Sequence, residues 1–88
     1  MMFQATINVT LKKSILDPQG QTTLHALASL GFKTAKSLRI GKHFVLNLDT
    51  SNEAEAKRVV DDMCKKLLVN PVIEEYSVSL EKVDGRLQ

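Results

Sequence analysis

The chain has 88 residues, 43% of them hydrophobic and 25% charged, which is the composition of one small folded domain and not of a disordered segment. Twelve Lys and Arg against ten Asp and Glu leave a net charge of +2, mixed along the chain (Lys12-Lys13; Asp61-Asp62 one turn before Lys65-Lys66) and too small for a nucleic-acid footprint. A single cysteine, Cys64, excludes an internal disulfide; no apolar run approaches the ~18 residues that span a bilayer, and no secretory signal opens the chain, so the expected location is the cytoplasm.

In residues 3–12, Phe3, Ala5, Ile7, Val9 and Leu11 alternate with Gln4, Thr6, Asn8, Thr10 and Lys12, the period-two pattern of a strand with one buried face. Asp17-Pro18-Gln19-Gly20 interrupts it. Asp17 suits a helix N-cap and Pro18 the first helical position, where its missing N–H costs nothing. Leu24, Leu27 and Ala28 follow at helical spacing, and Gly31 suits the left-handed residue that closes a helix, which is predicted over about 18–30.

Residues 35–49 return to strand character. A two-residue turn at Gly41-Lys42 would set Phe44, Leu46 and Leu48 on the face opposite Leu38 and Ile40. Two arrangements avoid this: a longer bulged turn through His43, giving a hairpin, or one long strand bent at Gly41, which the shared even parity favours. Thr50-Ser51-Asn52-Glu53 reads as a capping box for a second helix running to about Leu68. Ala56, Val59, Val60, Met63 and Leu67 form its apolar stripe, and Asp61–Lys65 and Asp62–Lys66 are favourable pairs four residues apart. Pro71 forces Asn70 out of helical geometry. A last strand is expected from about Val72 to Leu80, with Tyr76, Val78 and Leu80 on one face, before a polar tail over 81–88.

The order implies an α+β domain, an antiparallel sheet with two helices on one face in the ferredoxin-like βαββαβ arrangement, the second and third strands alternatively being one bent strand. One domain over 1–88, with its core at about 3–80, is expected. So short a chain buries only a little over ~60% of its unfolded surface, and self-association is the expected remedy.

The sequence offers little chemistry of its own. His25, His43 and Cys64 match no zinc spacing, and Cys64 reads as a half-buried residue beside the second helix's stripe. The glycines are scattered singly, so no phosphate-cradling loop is present. Glu74 and Glu75 are neighbours on a strand and point to opposite faces. The exposed strand face offers Thr6, Asn8, Thr10, Asn47, Ser77 and Ser79 and no aromatic platform for bases, so it suits solvent or another protein chain. No catalytic, cofactor or metal residue is expected.

Several segments resemble the PurS family: Val9-Thr10-Leu11-Lys12 with Leu16-Asp17-Pro18-Gln19-Gly20, Ala26-Leu27 with Leu30-Gly31-Phe32, Arg39-Ile40-Gly41-Lys42, and Met63 to Leu68 with Asn70-Pro71-Val72-Ile73-Glu74 and Tyr76. The resemblance covers residues 3 to about 80 and implies the small subunit of a three-chain formylglycinamidine ribonucleotide synthase. In such an enzyme the PurQ subunit releases ammonia from glutamine and the PurL subunit uses ATP to amidate formylglycinamide ribonucleotide. The resemblance implies that PurS joins the two, supports ammonia transfer, self-associates, and leaves ATP, magnesium and glutamine to its partners. Candidate partner contacts fall on matching positions: Asp17, Gln19 and Gly20 in the first loop, Arg39 and Lys42 at the centre, and Asn70 after the second helix. Asp17 as a cap and Asn70 as a helix terminator have local roles; Gln19 and Gly20 are less accounted for, and Arg39, pointing away from Leu38 and Ile40, is either solvated or in a subunit salt bridge. The competing reading is an ACT-like regulatory module that binds a small molecule near Gln19-Gly20.

Overall fold

A computed structural model describes residues 2–83. The described residues form β1 (Met2–Leu11), α1 (Pro18–Ser29), β2 (Gly41–Leu48), α2 (Glu53–Met63) with a wide helical turn over Cys64–Leu68, and β3 (Glu74–Val83). The strands make one antiparallel sheet in the order β2-β1-β3. β3 continues through Glu81, Lys82 and Val83, three residues assigned above to the tail; the rest of that tail, 84–88, lies outside the described residues.

The alternation in β1 does what the sequence implies. Ala5 and Ile7 are fully buried, Phe3 and Val9 nearly so, and every second position faces the open side. Because directly paired residues share a face, the register carries Phe44, Leu46 and Leu48 of β2 and Tyr76, Val78 and Leu80 of β3 to the same side. Val60, Cys64 and Val69 close over them. Cys64 is therefore wholly buried in the core and not half-buried at its margin.

Around Gly41 neither expected arrangement is realised. β2 begins at Gly41, and residues 33–40 join no strand. The Ile40 N–H donates to the Asp17 carboxylate at 2.8 Å and so is withdrawn from the sheet. Gly41 then passes so close to the Val9 carbonyl that a Cβ would collide with it. The sheet consequently has three strands where the ferredoxin-like order would have four. With that edge strand absent, α1 lacks a floor: α2 covers the sheet, whereas α1 stands off it, with Leu24 and Leu27 half-buried and Leu30 and Phe32 exposed.

The helix ends follow local chemistry. Asp17 caps α1 by accepting the Gly20 N–H at 2.9 Å, with Pro18 in the first turn. The other end closes as a Schellman motif: Phe32 N–H donates to the Leu27 carbonyl at 2.9 Å and Gly31 N–H to the Ala28 carbonyl at 3.1 Å, with Gly31 at φ +101°. For α2 the expected cap is displaced by two residues. Asn52, not Thr50, caps the helix and accepts the Glu55 N–H at 3.1 Å; Thr50 supports it by accepting the Asn52 N–H at 3.2 Å. Glu55 does not reach back to complete a box, because its carboxylate pairs with Arg58 at 2.8 Å.

Of the two charge pairs expected on α2, Asp62–Lys66 forms at 3.1 Å. Asp61 lies instead near Tyr76, where burial and then the Asp61 carboxylate push the phenol above its usual range. At the end of α2 the Val69 N–H donates to the Cys64 carbonyl, five residues back. That wider turn changes the phase of the stripe, so Leu68 and Val69 turn inward and Leu67 is left 83% exposed.

The cap assignment is testable by thermal melts. Asn52→Ala should cost about 1 kcal/mol, the usual loss for a helix N-cap, while Thr50→Ala should cost distinctly less; the reverse order would restore Thr50 as the cap.

Candidate functional site

The candidate contact residues come from three separated segments, and the structure brings them to one end of the sheet, where β1 leaves and β2 and β3 begin. Asp17 is buried, 3% exposed, and both of its oxygens are used: Oδ1 accepts the Gly20 N–H and Oδ2 the Ile40 N–H. These bonds, the Ile40 bond foremost, hold its carboxyl below the ordinary range, with the Arg39 charge assisting. Gly20 is buried against this carboxylate, and a Cβ there would lie 2.6 Å from the Leu38 carbonyl oxygen, which accounts for the glycine.

Arg39 makes no salt bridge within the described residues. Its Nη2 donates to the carbonyls of Lys12 at 2.9 Å and Ile15 at 3.0 Å, with Leu11 at 3.4 Å, and so ties the return leg of α1 to the loop that leaves β1. Asn70 organises the turn into β3: its Oδ1 accepts the Val72 N–H at 3.1 Å, its carbonyl accepts the Glu74 N–H at 2.8 Å, and its own N–H donates to the Glu74 carboxylate at 2.8 Å. The side-chain chemistry of Asp17, Arg39 and Asn70 is thus spent within the chain.

Gln19 and Lys42 differ. Both line a small open cavity of about 160 Å³, with Glu74 on its far wall. Lys42 Nζ lies 3.8 Å from Glu74 and its side chain is 59% exposed. Such a loose pair contributes ~0–1 kcal/mol at most, so Lys42 is cheaply redirected toward another chain. Glu74 and Lys12, whose Nζ donates to the Pro71 carbonyl at 3.0 Å, belong to this end of the molecule and were missed in the sequence. Nothing local in the sequence signals that Glu74 reaches across β1 to Lys42.

A second feature has no counterpart in the sequence reading. Between β2 and α2 runs an apolar groove of about 610 Å³, floored by Phe44, Leu46, Val59, Met63 and Leu67. The opposite face of the sheet is polar and bare of helices among the described residues, with paired side chains such as His43 Nδ1 and Asn8 Oδ1 at 2.7 Å. His25 is exposed on α1, and burial, followed by the Asp61 charge, pushes the Cys64 thiol up, away from the reactive thiolate. The described residues include no group of three or more His, Cys, Asp or Glu placed to hold a metal, and no helix long and apolar enough to cross a membrane.

A small α+β chain whose polar groups at the sheet end serve its own backbone, and which leaves an apolar groove open, is built as an interaction module. The chain belongs to the PurS family: the family model described as phosphoribosylformylglycinamidine (FGAM) synthase, PurS, matches residues 4–82. It is 41% identical over 83 residues to the phosphoribosylformylglycinamidine synthase subunit PurS of Methanocaldococcus jannaschii, covering 94% of this chain and 100% of that protein. It is 40% identical over 82 residues to the Bacillus subtilis subunit, covering 93% and 96%. The crystal structure of M. jannaschii PurS matches with a TM-score of 0.83 at 40% identity, over 93% of this chain and 99% of that one. A chain of the PurLQS structure from Thermotoga maritima matches at 0.85 and 34% identity, over 92% and 99%. The resemblance read in the sequence is met: the chain is a PurS, and its relatives are named as subunits of phosphoribosylformylglycinamidine synthase.

The Asp17 clamp makes a pH prediction. A carboxyl held below its unfolded value stabilises the fold above that value and loses the contribution as pH falls on through its lower folded value. The melting temperature of the wild-type chain should therefore start to drop below about pH 5 and go on falling past the ordinary aspartate range. Asp17→Asn should melt lower at neutral pH, since its amide –NH₂ must face a backbone N–H, and should show a shallower acid drop. An equally steep drop in the variant would exclude Asp17 as its source.

Proposed function

We propose that this chain is the assembly subunit of a three-chain formylglycinamidine ribonucleotide synthase in the cytoplasm, acting in purine biosynthesis. It holds a glutaminase subunit of PurQ type against an ATP-dependent amidating subunit of PurL type and supports the passage of ammonia between them. ATP, magnesium and glutamine are handled by those partners. The chain also self-associates.

The observation that carries this reading is a match along nearly the whole chain to subunits named PurS, one of them within a structure named PurLQS. The geometry supports it in two ways. The polar groups at the sheet end hold backbone in place, and Gln19 and Lys42 stand at its rim as the side chains best placed for a partner. An α1 with no floor and an uncovered apolar groove are surfaces that a lone chain leaves unsatisfied.

The test is glutamine-dependent synthesis of formylglycinamidine ribonucleotide by matched PurL and PurQ, with and without this chain. The chain alone should give no turnover, and its addition should restore synthesis. Lys42→Ala should weaken assembly without lowering the melting temperature by more than a degree or two, because the Lys42 side chain is mostly exposed and its 3.8 Å pair with Glu74 is loose. An unchanged rate on adding the chain, with no complex formed, would overturn the reading.

A further inference from the structure

We propose that the sheet end is a docking surface for an acidic face of a partner subunit, steered in by the lysines of residues 12–42 and held by Leu16 and Val72. This rests on the assembly role proposed above and names the chemistry of the surface that the partner must present.

The net charge of +2 is divided unevenly along the chain. Residues 12–42 carry six of the twelve Lys and Arg (Lys12, Lys13, Lys33, Lys36, Arg39 and Lys42) against one acidic residue, Asp17, a balance of +5. The rest of the chain carries the other six cations and nine carboxylates, a balance of −3. The close mixing of Asp61-Asp62 with Lys65-Lys66 belongs to that second part and is not shared by the first.

The fold gathers most of the basic part at one place. Arg39 donates to the carbonyls of Lys12 at 2.9 Å and Ile15 at 3.0 Å, which sets its guanidinium against the Lys12-Lys13 loop. Lys12 Nζ reaches the Pro71 carbonyl at 3.0 Å, and Lys42 lines the same cavity as Asp17 and Gln19. Lys36, three residues before Arg39, lies within about 11 Å of it by chain length alone. Lys13 and Lys36 are exposed, and neither has an ion pair among the described residues.

The carboxylates at this end are turned inward. Asp17 is buried and gives both oxygens to backbone N–H groups. Glu74, its side chain 14% exposed, accepts the Asn70 N–H at 2.8 Å and stands 3.8 Å from Lys42. Glu75 is exposed, but it pairs with Thr10 and so lies on the open face of the sheet. The outer rim is left to the lysines, whose field reaches over roughly a Debye length, about 8–10 Å, into solvent.

This surface suits a protein and not a phosphate group. Arg39 directs Nη2 at carbonyls, and the lysines are spread over loop, return leg and strand without converging on one point. Beside the cations stand two bare apolar side chains, Leu16, 69% exposed and next to Ile15, and Val72, 75% exposed and next to Pro71. Apolar side chains edged by charged ones are the anatomy of a protein interface, and a phosphate gains nothing from them. The two kinds of group act on different rates: long-range charge speeds encounter, and apolar contact slows departure.

Association kinetics with matched PurL and PurQ, in the presence of ATP and glutamine, test the surface. Raising sodium chloride from about 50 mM to about 500 mM should slow association of the wild-type chain at least about tenfold. Lys13→Gln combined with Lys36→Gln should slow it about fivefold or more at the lower salt and flatten the salt dependence, with dissociation changed less than about twofold. Lys57→Gln combined with Lys82→Gln removes the same two charges from α2 and the opposite end of the sheet, and should change association less than about twofold. Leu16→Ser and Val72→Ser, each checked for unchanged circular dichroism, should speed dissociation at least about fivefold and leave the salt dependence intact. Equal slowing by the two lysine pairs, or association insensitive to salt, overturns the surface and leaves the assembly role standing. Slowing by about 10 mM inorganic phosphate beyond that of sodium chloride at equal ionic strength overturns the protein partner in favour of a phosphate ligand. No complex at any salt overturns the assembly role itself, which the synthesis assay reads separately.

Discussion

The Asp17 carboxylate binds backbone N–H groups from two different segments, and much of the architecture follows from that choice. By taking the Gly20 N–H it starts α1; by taking the Ile40 N–H it keeps residues before Gly41 out of the sheet. Each bond is charge-assisted, and a buried carboxylate with both oxygens satisfied is a strong local anchor, whereas one with a partner removed is expensive to keep. Without a strand beyond β2 the sheet stops at three strands, α1 has nothing to rest on, and the Phe44 side of the sheet stays uncovered. A single clamp therefore links a capping interaction in the first loop to the open groove on the far side of β2.

An incomplete fold of this kind suits a subunit whose work is assembly. An enzyme invests buried polar groups in a reacting centre, where perturbed acids and bases converge. Here the perturbed groups are Asp17, lowered by the backbone it caps, Glu55 and Arg58, shifted by each other on the surface of α2, and Cys64 and Tyr76, raised chiefly by burial. Each is explained by structure alone. What remains unspent is apolar surface, which is the non-directional driving force of association.

Much of this was legible in the sequence because it depends on local rules. The period-two run in β1, the Asp17-Pro18 start of α1 and the Gly31 stop each rest on residues within a few positions of one another, and each is found. The failures involve distant partners. Nothing near Ile40 reveals that its N–H is taken by a carboxylate 23 positions earlier, so the apolar parity of Leu38 and Ile40 suggested a longer strand. The α2 cap slipped because Thr50 and Asn52 are both competent caps, and the choice depends on where the helix must start to lay Ala56, Val60 and Cys64 on β1. Leu67 fits an ideal stripe and leaves it only because the turn over Cys64–Leu68 is wider than an α-helical one. The candidate contacts come together at one end of the sheet, but the sequence could not separate residues that hold backbone from those that face outward, since that distinction lies in which carbonyls Arg39 reaches.

The two faces of the sheet also divide the tasks of binding. On the open face polar side chains satisfy one another across the strands, Gln4 with Asn47 at 3.3 Å and His43 with Asn8 at 2.7 Å, so water can cover it at no loss. The groove face has no such option, because water cannot repay Phe44, Met63 or Leu67 for their exposure. Between them, at the sheet end, Lys42 and Glu74 form a pair loose enough to be redirected without disturbing the core. Apolar surface supplies adhesion without direction, and charged groups at a rim supply register and choice of partner.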